Sequence, residues 1–224
     1  MDASGFSKMV LKKGDFIEIE YVGYDKESGK IFDLTSADVA KKEGILDPKA
    51  SYGPIILCIG ERFVVKGLDE FLPGKEEGNE YDVEIPPEQG FGKRDSKLMK
   101  LVSVEIFRKE NIRPFPELRV NVDGLLGVVR SVSGGRIIVD FNHPLAGHHL
   151  LYKIKIIKTI KEKQKQLEWV LSRFSDKLKV VIKGGKAEIR GEVSDDLKKA
   201  LSEYIKKLIV GIKEVNFTNT PTER

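Results

Sequence analysis

Ile55-Ile56-Leu57-Cys58-Ile59-Gly60-Glu61-Arg62-Phe63-Val64-Val65-Lys66-Gly67-Leu68-Asp69-Glu70-Phe71-Leu72-Pro73-Gly74 is the stretch from which the fold can be built. Ile55 to Ile59 is an unbroken apolar run, which reads as a well-buried strand. Gly60 breaks it. Val64 to Leu72 reads as a short helix, and Pro73-Gly74 stops it because proline has no N–H to give and clashes with the preceding turn.

Working outward, Asp15 to Val22 alternates Phe16, Glu18 and Glu20 with Ile17, Ile19 and Tyr21, the pattern of a strand with one buried face. Ser28-Gly29 supplies a turn, and Lys30 to Asp33 resumes an extended strand. Ser36 can cap one or two helical turns up to Glu43. Asp47-Pro48 and Gly53-Pro54 mark loop ends. Beyond the short helix, Glu80 to Ile85 alternates and ends at Pro86-Pro87. Leu150 to Ile160 is a long alternating strand, with Leu150, Tyr152, Ile154 and Ile156 on one face.

Two other regions differ in texture. In Asp95 to Asp140, Ser103 to Arg108 reads as a short helix. Leu118 to Val122, Leu125 to Val132 and Arg136 to Phe141 read as strands, joined by the hairpin signals Asp123-Gly124 and Ser133-Gly134-Gly135. From residue 158 onward, Leu167, Val170, Leu171 and Phe174 follow helical spacing. A hairpin turns through Gly184-Gly185, and Ser194 is expected to cap a second helix striped with Leu197, Ala200, Leu201, Tyr204, Ile205 and Leu208. Gly211 ends that helix, and Ile212 to Thr218 is a last strand. Residues 158–224 carry a net charge of +6 in a chain of net +4. Such a basic segment fits either a solvated lysine-rich surface or contact with nucleic acid or an acidic partner.

The chain of 224 residues is 33% charged and 40% hydrophobic, enough for cores. No segment approaches the roughly 18–20 consecutive apolar residues of a membrane helix. Met1 to Gly14 has Lys8, Lys12 and Lys13 among polar residues and no apolar run, so no signal peptide is expected. The single cysteine, Cys58, excludes an internal disulfide and reads as an inert core thiol. A soluble cytoplasmic protein is the expectation.

The pieces also fall into a known order. Tyr21-Val22-Gly23 through Gly29-Lys30-Ile31-Phe32-Asp33-Leu34-Thr35 resembles the first signature of the FKBP-type peptidyl-prolyl cis-trans isomerases. Ile59 to Asp69 resembles the second. Gly74-Lys75, Gly78, Ile85-Pro86-Pro87-Glu88-Gln89-Gly90-Phe91-Gly92 and His143-Pro144-Leu145-Ala146-Gly147 follow in the family's order, over about residues 8–157. The stretch Asp95 to Asp140 resembles the SlyD-like insert-in-flap domain. The loop from Ser36 to Gly53 and the added C-terminal segment resemble the long archaeal form.

The resemblance implies an α+β fold, an antiparallel half-open β-sheet around a short helix. The inserted β-rich domain and the C-terminal α+β domain are additions to it. The expected boundaries are 1–94 with 141–157 for the catalytic domain, 95–140 for the insert and 158–224 for the C-terminal domain.

The implied activity is rotation of X-Pro bonds in folding proteins, with chaperone (holdase) activity from the insert. Amide resonance sets a barrier of about 18–20 kcal/mol. The twisted transition state is less polar than the planar amide, so a dry apolar pocket favours it and no nucleophile is needed. By family position the pocket comprises Tyr21, Phe32, Asp33, Ile55, Val64, Val65, Leu68, Phe91 and Tyr152. Leu68 would be the floor, and the Val65 N–H would hold a substrate carbonyl. Phe91 stands where the family often has tyrosine, and Leu68 where many members have tryptophan. On composition alone each of these apolar residues reads as plain core before pocket. Asp33, between Phe32 and Leu34, is costly to bury without a partner or else lies at a turn or strand end.

In the insert, Leu98, Leu101, Val102, Ile106, Phe107 and Phe115 are expected to bind unfolded chains, with core packing as the plain alternative. His148 and His149 are adjacent, so on a strand they point to opposite faces and do not chelate one ion. No cofactor and no metal are expected. Trp169, off the Leu167/Val170/Leu171/Phe174 stripe, reads as an interface residue that either packs on the catalytic domain or pairs two chains in a homodimer. The expected partners are unfolded polypeptides with X-Pro bonds, and no membrane. The alternatives are a binding module with little isomerase activity, and a ribosome- or RNA-associated folding factor acting through the basic C-terminal domain.

Overall fold

A computed structural model of the chain describes residues 9–218, so Lys8 lies outside the described residues. In chain order the elements are β1 (Phe16–Asp25), β2 (Ile31–Leu34), α1 (Ala37–Lys42), β3 (Ile55–Cys58), α2 (Lys66–Phe71) and β4 (Glu80–Ile85). The insert contributes β5 (Met99–Ser103), α3 (Val104–Lys109), β6 (Arg119–Val122), β7 (Leu125–Ser133) and β8 (Arg136–Asp140). Then come β9 (Leu150–Thr159), α4 (Lys163–Ser172), β10 (Lys179–Lys183), β11 (Lys186–Arg190), α5 (Asp195–Leu208) and β12 (Glu214–Thr218). This is the expected α+β composition. One sheet runs β2-β1-β9-β4, with β3 pairing antiparallel to β1 in the register Phe16↔Cys58 to Ile19↔Ile55. Among the described residues no helix is long and apolar enough to cross a membrane.

By packing, the chain forms two compact units. The first gathers residues 9–22, 33–83 and 152–218. Its best-defined core joins Phe16 and Cys58, at the paired starts of β1 and β3, to Ile160, Leu167, Val170, Leu171, Ile189, Leu201 and Ile205. The C-terminal segment thus shares a core with the first and third strands. This explains a departure from simple alternation: Phe16, expected on the outer face of β1, is 1% exposed because the indole of Trp169 stands edge-on to it at 5.7 Å. The segment's own sheet runs β10-β11-β12. The β10/β11 hairpin turns on Gly184 and Gly185, both at positive φ as the tight turn requires. β12 runs parallel to β11, with α5 as the crossover. Asp195 and Asp196 open α5 and Lys206 and Lys207 close it, each complementing the helix dipole. Ser194 precedes α5, but its side chain makes no capping bond. Phe174, read as part of the α4 stripe, follows the last turn of α4 and is exposed.

The second unit gathers residues 23–32 and 84–151. Its insert is a sheet in the order β5-β8-β7-β6. β5 has no clear signal in the sequence, and it pairs with β8 from Met99↔Asp140 to Ser103↔Arg136. Val102, Phe107, Val120, Val129, Ile137 and Val139 form the insert's core. Gly127 is needed there, since a Cβ would meet Val139 Cγ1 at 2.7 Å. At the neck, the Asp95 N–H donates to Asn142 Oδ1 at 2.8 Å and Asn142 Nδ2 donates to the Asp95 carbonyl at 3.0 Å. Asp140, 2% exposed, accepts from Arg94 and, at 3.3 Å, from Arg130. The buried carboxylate is therefore doubly paired, and the two ends of the insert are fastened together.

Candidate active site

In the first unit, β1, β2 and β9 bring Tyr21, Asp33 and Tyr152 together. The Tyr21 hydroxyl donates to Asp33 Oδ2 at 2.7 Å, and the Tyr21 and Tyr152 rings lie 5.7 Å apart, tilted at 59°. Burial, with the Asp33 carboxylate second, pushes both phenols above their ordinary range, so Tyr21 stays a donor. Asp33 itself is exposed, so its carboxylate carries no burial penalty and its partner is Tyr21. Ile55, Val64 and Val65 are half-buried. Leu68 is 0% exposed and Tyr152 4%, so Leu68 supports the site from beneath and presents no surface of its own.

The loop Gly60 to Val65 joins β3 to α2 in an unusual conformation. Gly60 has φ 90° and Arg62 φ 58°, left-handed for a non-glycine residue. Asp69, 5% exposed in α2, holds both: its Oδ1 accepts the Gly60 N–H at 2.8 Å and its Oδ2 the Arg62 N–H at 3.1 Å. The helix starts later than the sequence reading suggests, at Lys66, with Val65 extended just ahead of it. Among the described residues no acceptor meets the Val65 N–H, whose carbonyl accepts from Leu68 and Asp69. Cys58, fully buried behind this loop, has its thiol pushed up to about 12 by burial first and the Glu61, Asp69 and Asp15 carboxylates next. It is inert, as the sequence suggests.

In the second unit, Phe32 and Phe91 meet edge to face at 5.8 Å, and His143 stacks on Phe91 at 4.2 Å and 7°. His143 Nδ1 accepts the Leu145 N–H at 3.2 Å, which fixes the ring. Gly23 lies under Phe32, where a Cβ would come within 2.7 Å of the ring tip. His143 is an aromatic neighbour that the sequence reading did not assign.

Among the described residues one group with metal-ligand chemistry comes together, Asp25, Glu27 and His148, with candidate atoms within 4.8 Å. Pairing His148 with His149 overlooked it, because its acids lie more than a hundred residues away. Its atoms already serve one another. His148 Nδ1 lies 2.9 Å from Asp25 Oδ1, the Ser28 hydroxyl donates to Asp25 Oδ2, and Glu27 Oε1 accepts the His149 N–H at 2.9 Å. The group ties the turn after β1 to the approach to β9. Burial raises the Asp25 carboxyl, but hydrogen bonds from Ser28, His148 and Glu27 outweigh it and hold the group at about 2, against an ordinary 3.8. A lowered folded value stabilises the fold above about pH 4, and the benefit is lost as pH falls through about 2. Asp25→Asn should therefore lower the urea midpoint at pH 7, and its gap to the wild type should narrow by pH 3. A constant gap would show that the tie does not depend on ionisation.

In the insert, Leu98, Leu101, Ile106 and Phe115 are exposed, Leu101 at 62%. Val102 and Phe107, expected on the same binding surface, are 7% and 2% exposed, because so small a sheet needs them as its core. Leu125 and Leu126, at 54% and 77%, were not singled out from sequence. They follow the Asp123-Gly124 turn, where both residues of a hairpin start face water.

Comparison with known families agrees with this geometry. The profile described as FKBP-type peptidyl-prolyl cis-trans isomerase matches residues 8–107, and one described as FKBP26, IF domain, matches residues 100–145. The short-type peptidyl-prolyl cis-trans isomerase of Methanocaldococcus jannaschii is 33% identical over 147 residues, 66% of this chain and 92% of that protein. The FKBP-type isomerase SlyD of Haemophilus influenzae is 28% identical over 54% of this chain and 66% of its own length. SlyD of Aeromonas hydrophila is 33% identical over 50% of this chain and 54% of its own length. The chain thus spans little more than half to two thirds of these SlyD relatives. An aromatic cluster with one pinned hydroxyl and an open N–H ahead of a short helix suit non-covalent rotation of an amide, and with these matches the chain belongs to the FKBP-type peptidyl-prolyl cis-trans isomerases.

Proposed function

We propose that Tyr21, Asp33, Tyr152, Ile55 and Val64 form the surface over which a substrate's X-Pro bond turns, with the Val65 N–H holding a substrate carbonyl. Leu68, fully buried in α2, supports the loop. The observation that carries this is the Tyr21–Asp33 bond at 2.7 Å beside the Tyr152 ring, which leaves an aromatic face on which the Tyr21 hydroxyl is already spent. Such a face gains nothing from a planar, polar amide and favours the twisted one. Tyr152→Ala tests it in a protease-free assay on a short proline peptide, where kcat/KM should fall at least tenfold with the fold retained. A wild-type rate would remove Tyr152 from the site.

We further propose that the insert holds unfolded chains through Leu98, Leu101, Ile106, Phe115, Leu125 and Leu126, six large apolar residues left in water by a domain that has filled its own core. The clients are unfolded or partly folded polypeptides with X-Pro bonds.

A further inference from the structure

We infer that α4 and α5 brace the substrate-carbonyl loop, and that Trp169 is a positioning residue for the isomerase site. The inference rests on the reading of Val65 as the carbonyl-binding residue.

Two sets of contacts fix the loop that ends in Val65. Asp69, in the helix that follows, fixes its first half through the Gly60 and Arg62 N–H groups. Its second half ends at Val65, whose carbonyl is held by the Leu68 and Asp69 N–H groups at 3.0 and 3.1 Å, and the Phe63 side chain is the handle that ties it to the C-terminal segment. That ring packs edge to face on Trp169 of α4 at 4.5 Å, and the other side of the indole meets Phe16 at 5.7 Å. Phe63 also joins Leu201 and Tyr204 of α5 in one apolar groove. A second handle lies at the loop's start. Glu61, whose side chain is 17% exposed, accepts from Lys207 of α5 at 3.0 and 3.2 Å through its two oxygens. The C-terminal segment thus grips the loop at Glu61 and Phe63, and Val65 is two residues beyond the second grip.

A carbonyl held by one N–H tolerates little displacement, because hydrogen bonds weaken steeply with misalignment. Loss of the indole would leave Phe63 unsupported on one side and let the segment to Val65 rock. Substrate binding should weaken before rotation does, since the aromatic face around Tyr21 and Tyr152 is not built by Trp169.

The test uses the full chain and a short proline peptide, well below the unfolding temperature. It reads KM and kcat separately, together with amide hydrogen exchange at Leu68 and Asp69, whose N–H groups hold the Val65 carbonyl. Trp169→Ala should raise KM about tenfold with kcat within about twofold, and exchange at Leu68 and Asp69 should quicken about tenfold. Trp169→Phe, which keeps an aromatic prop, should recover KM to within about threefold. Lys207→Met lies outside the core and should raise KM two- to threefold, so it decides the matter if Trp169→Ala does not fold. Wild-type KM and wild-type exchange at both amides in the folded variants would overturn the brace. Faster exchange at unchanged KM would overturn the kinetic claim and place the fault in the reading of Val65.

Discussion

Replacing Lys97 to Val139 by a short Gly-Ser flap should leave rotation of a short peptide within about threefold of the full chain, and should slow catalysed refolding of a proline-limited protein at least tenfold. On the proposed reading a short peptide needs only the surface around Tyr21, Asp33 and Tyr152. A refolding protein must first be kept near that surface, and a tethered capture site raises its effective concentration to roughly millimolar without altering the chemistry. The cut is placed to leave the neck intact. Asp95, Asp140 and Asn142 remain, and so does the Arg94–Asp140 pair, while Arg130 and the exposed Leu101, Phe115, Leu125 and Leu126 go. Suppression of aggregation should be lost with refolding activity. Equal losses on both substrates in a folded variant would reduce the insert to a structural part of its unit.

Strands with one wet face and hairpins with glycine turns were legible without any structure. β1, β4 and β9 follow their alternation, and Asp123-Gly124 and Gly134-Gly135 turn at positive φ as their composition requires. Reading failed where a second element covers a face that local pattern assigns to solvent. Phe16 sits in phase with Glu18 and Glu20, and it is buried in the core shared with Ile160, Leu167 and Leu171, with Trp169 edge-on to its ring. Trp169 in turn was visible as a large aromatic off its helix's stripe, yet the choice between intramolecular and intermolecular use depends on what lies opposite. The answer in the chain itself is Phe16 and Phe63. The segment after residue 158 consequently shares a core with β1 and β3, a relation that no property of its own sequence announces.

Motif order in the sequence proposes site residues, and it does not give their partners. Motif order named Tyr21, Asp33 and Tyr152, but only the fold shows that the hydroxyl of the first is spent on the second. His143 was not placed in the pocket, and His148 was weighed as a metal ligand only beside its sequence neighbour His149. Their real partners, Phe91 and Asp25, are supplied by chain segments 52 and 123 residues away. In the insert, burial divides one list of apolar residues in two, because a four-stranded sheet must close on Val102 and Phe107 before Leu101 and Phe115 can be left outside.

Asp69→Ala should lower stability by about 2–4 kcal/mol and reduce kcat/KM on a short peptide at least tenfold. The carboxylate is 5% exposed and is the acceptor for two backbone N–H groups. Bonds to a charged acceptor contribute about 1.5–3 kcal/mol each, and a buried donor left without one costs about 1–3 kcal/mol. The Gly60 N–H is half-buried and carries most of that penalty. Arg62 is exposed, so water relieves part of its loss, which keeps the total below the sum of two buried bonds. Arg62 also holds a left-handed conformation that disfavours a non-glycine residue by about 1–2 kcal/mol, and Asp69 is what opposes its relaxation. Released, the loop returns toward ordinary backbone angles and carries Phe63 and Val65 with it. Asp69→Asn separates the two bonds, since its amide oxygen can accept one N–H while its NH2 group faces the other donor to donor. It should fall between the wild type and the alanine variant in both urea midpoint and activity. An alanine variant with the wild-type midpoint would show that the loop keeps its shape unaided, and one that is destabilised yet fully active would show that this shape does not matter to the reaction.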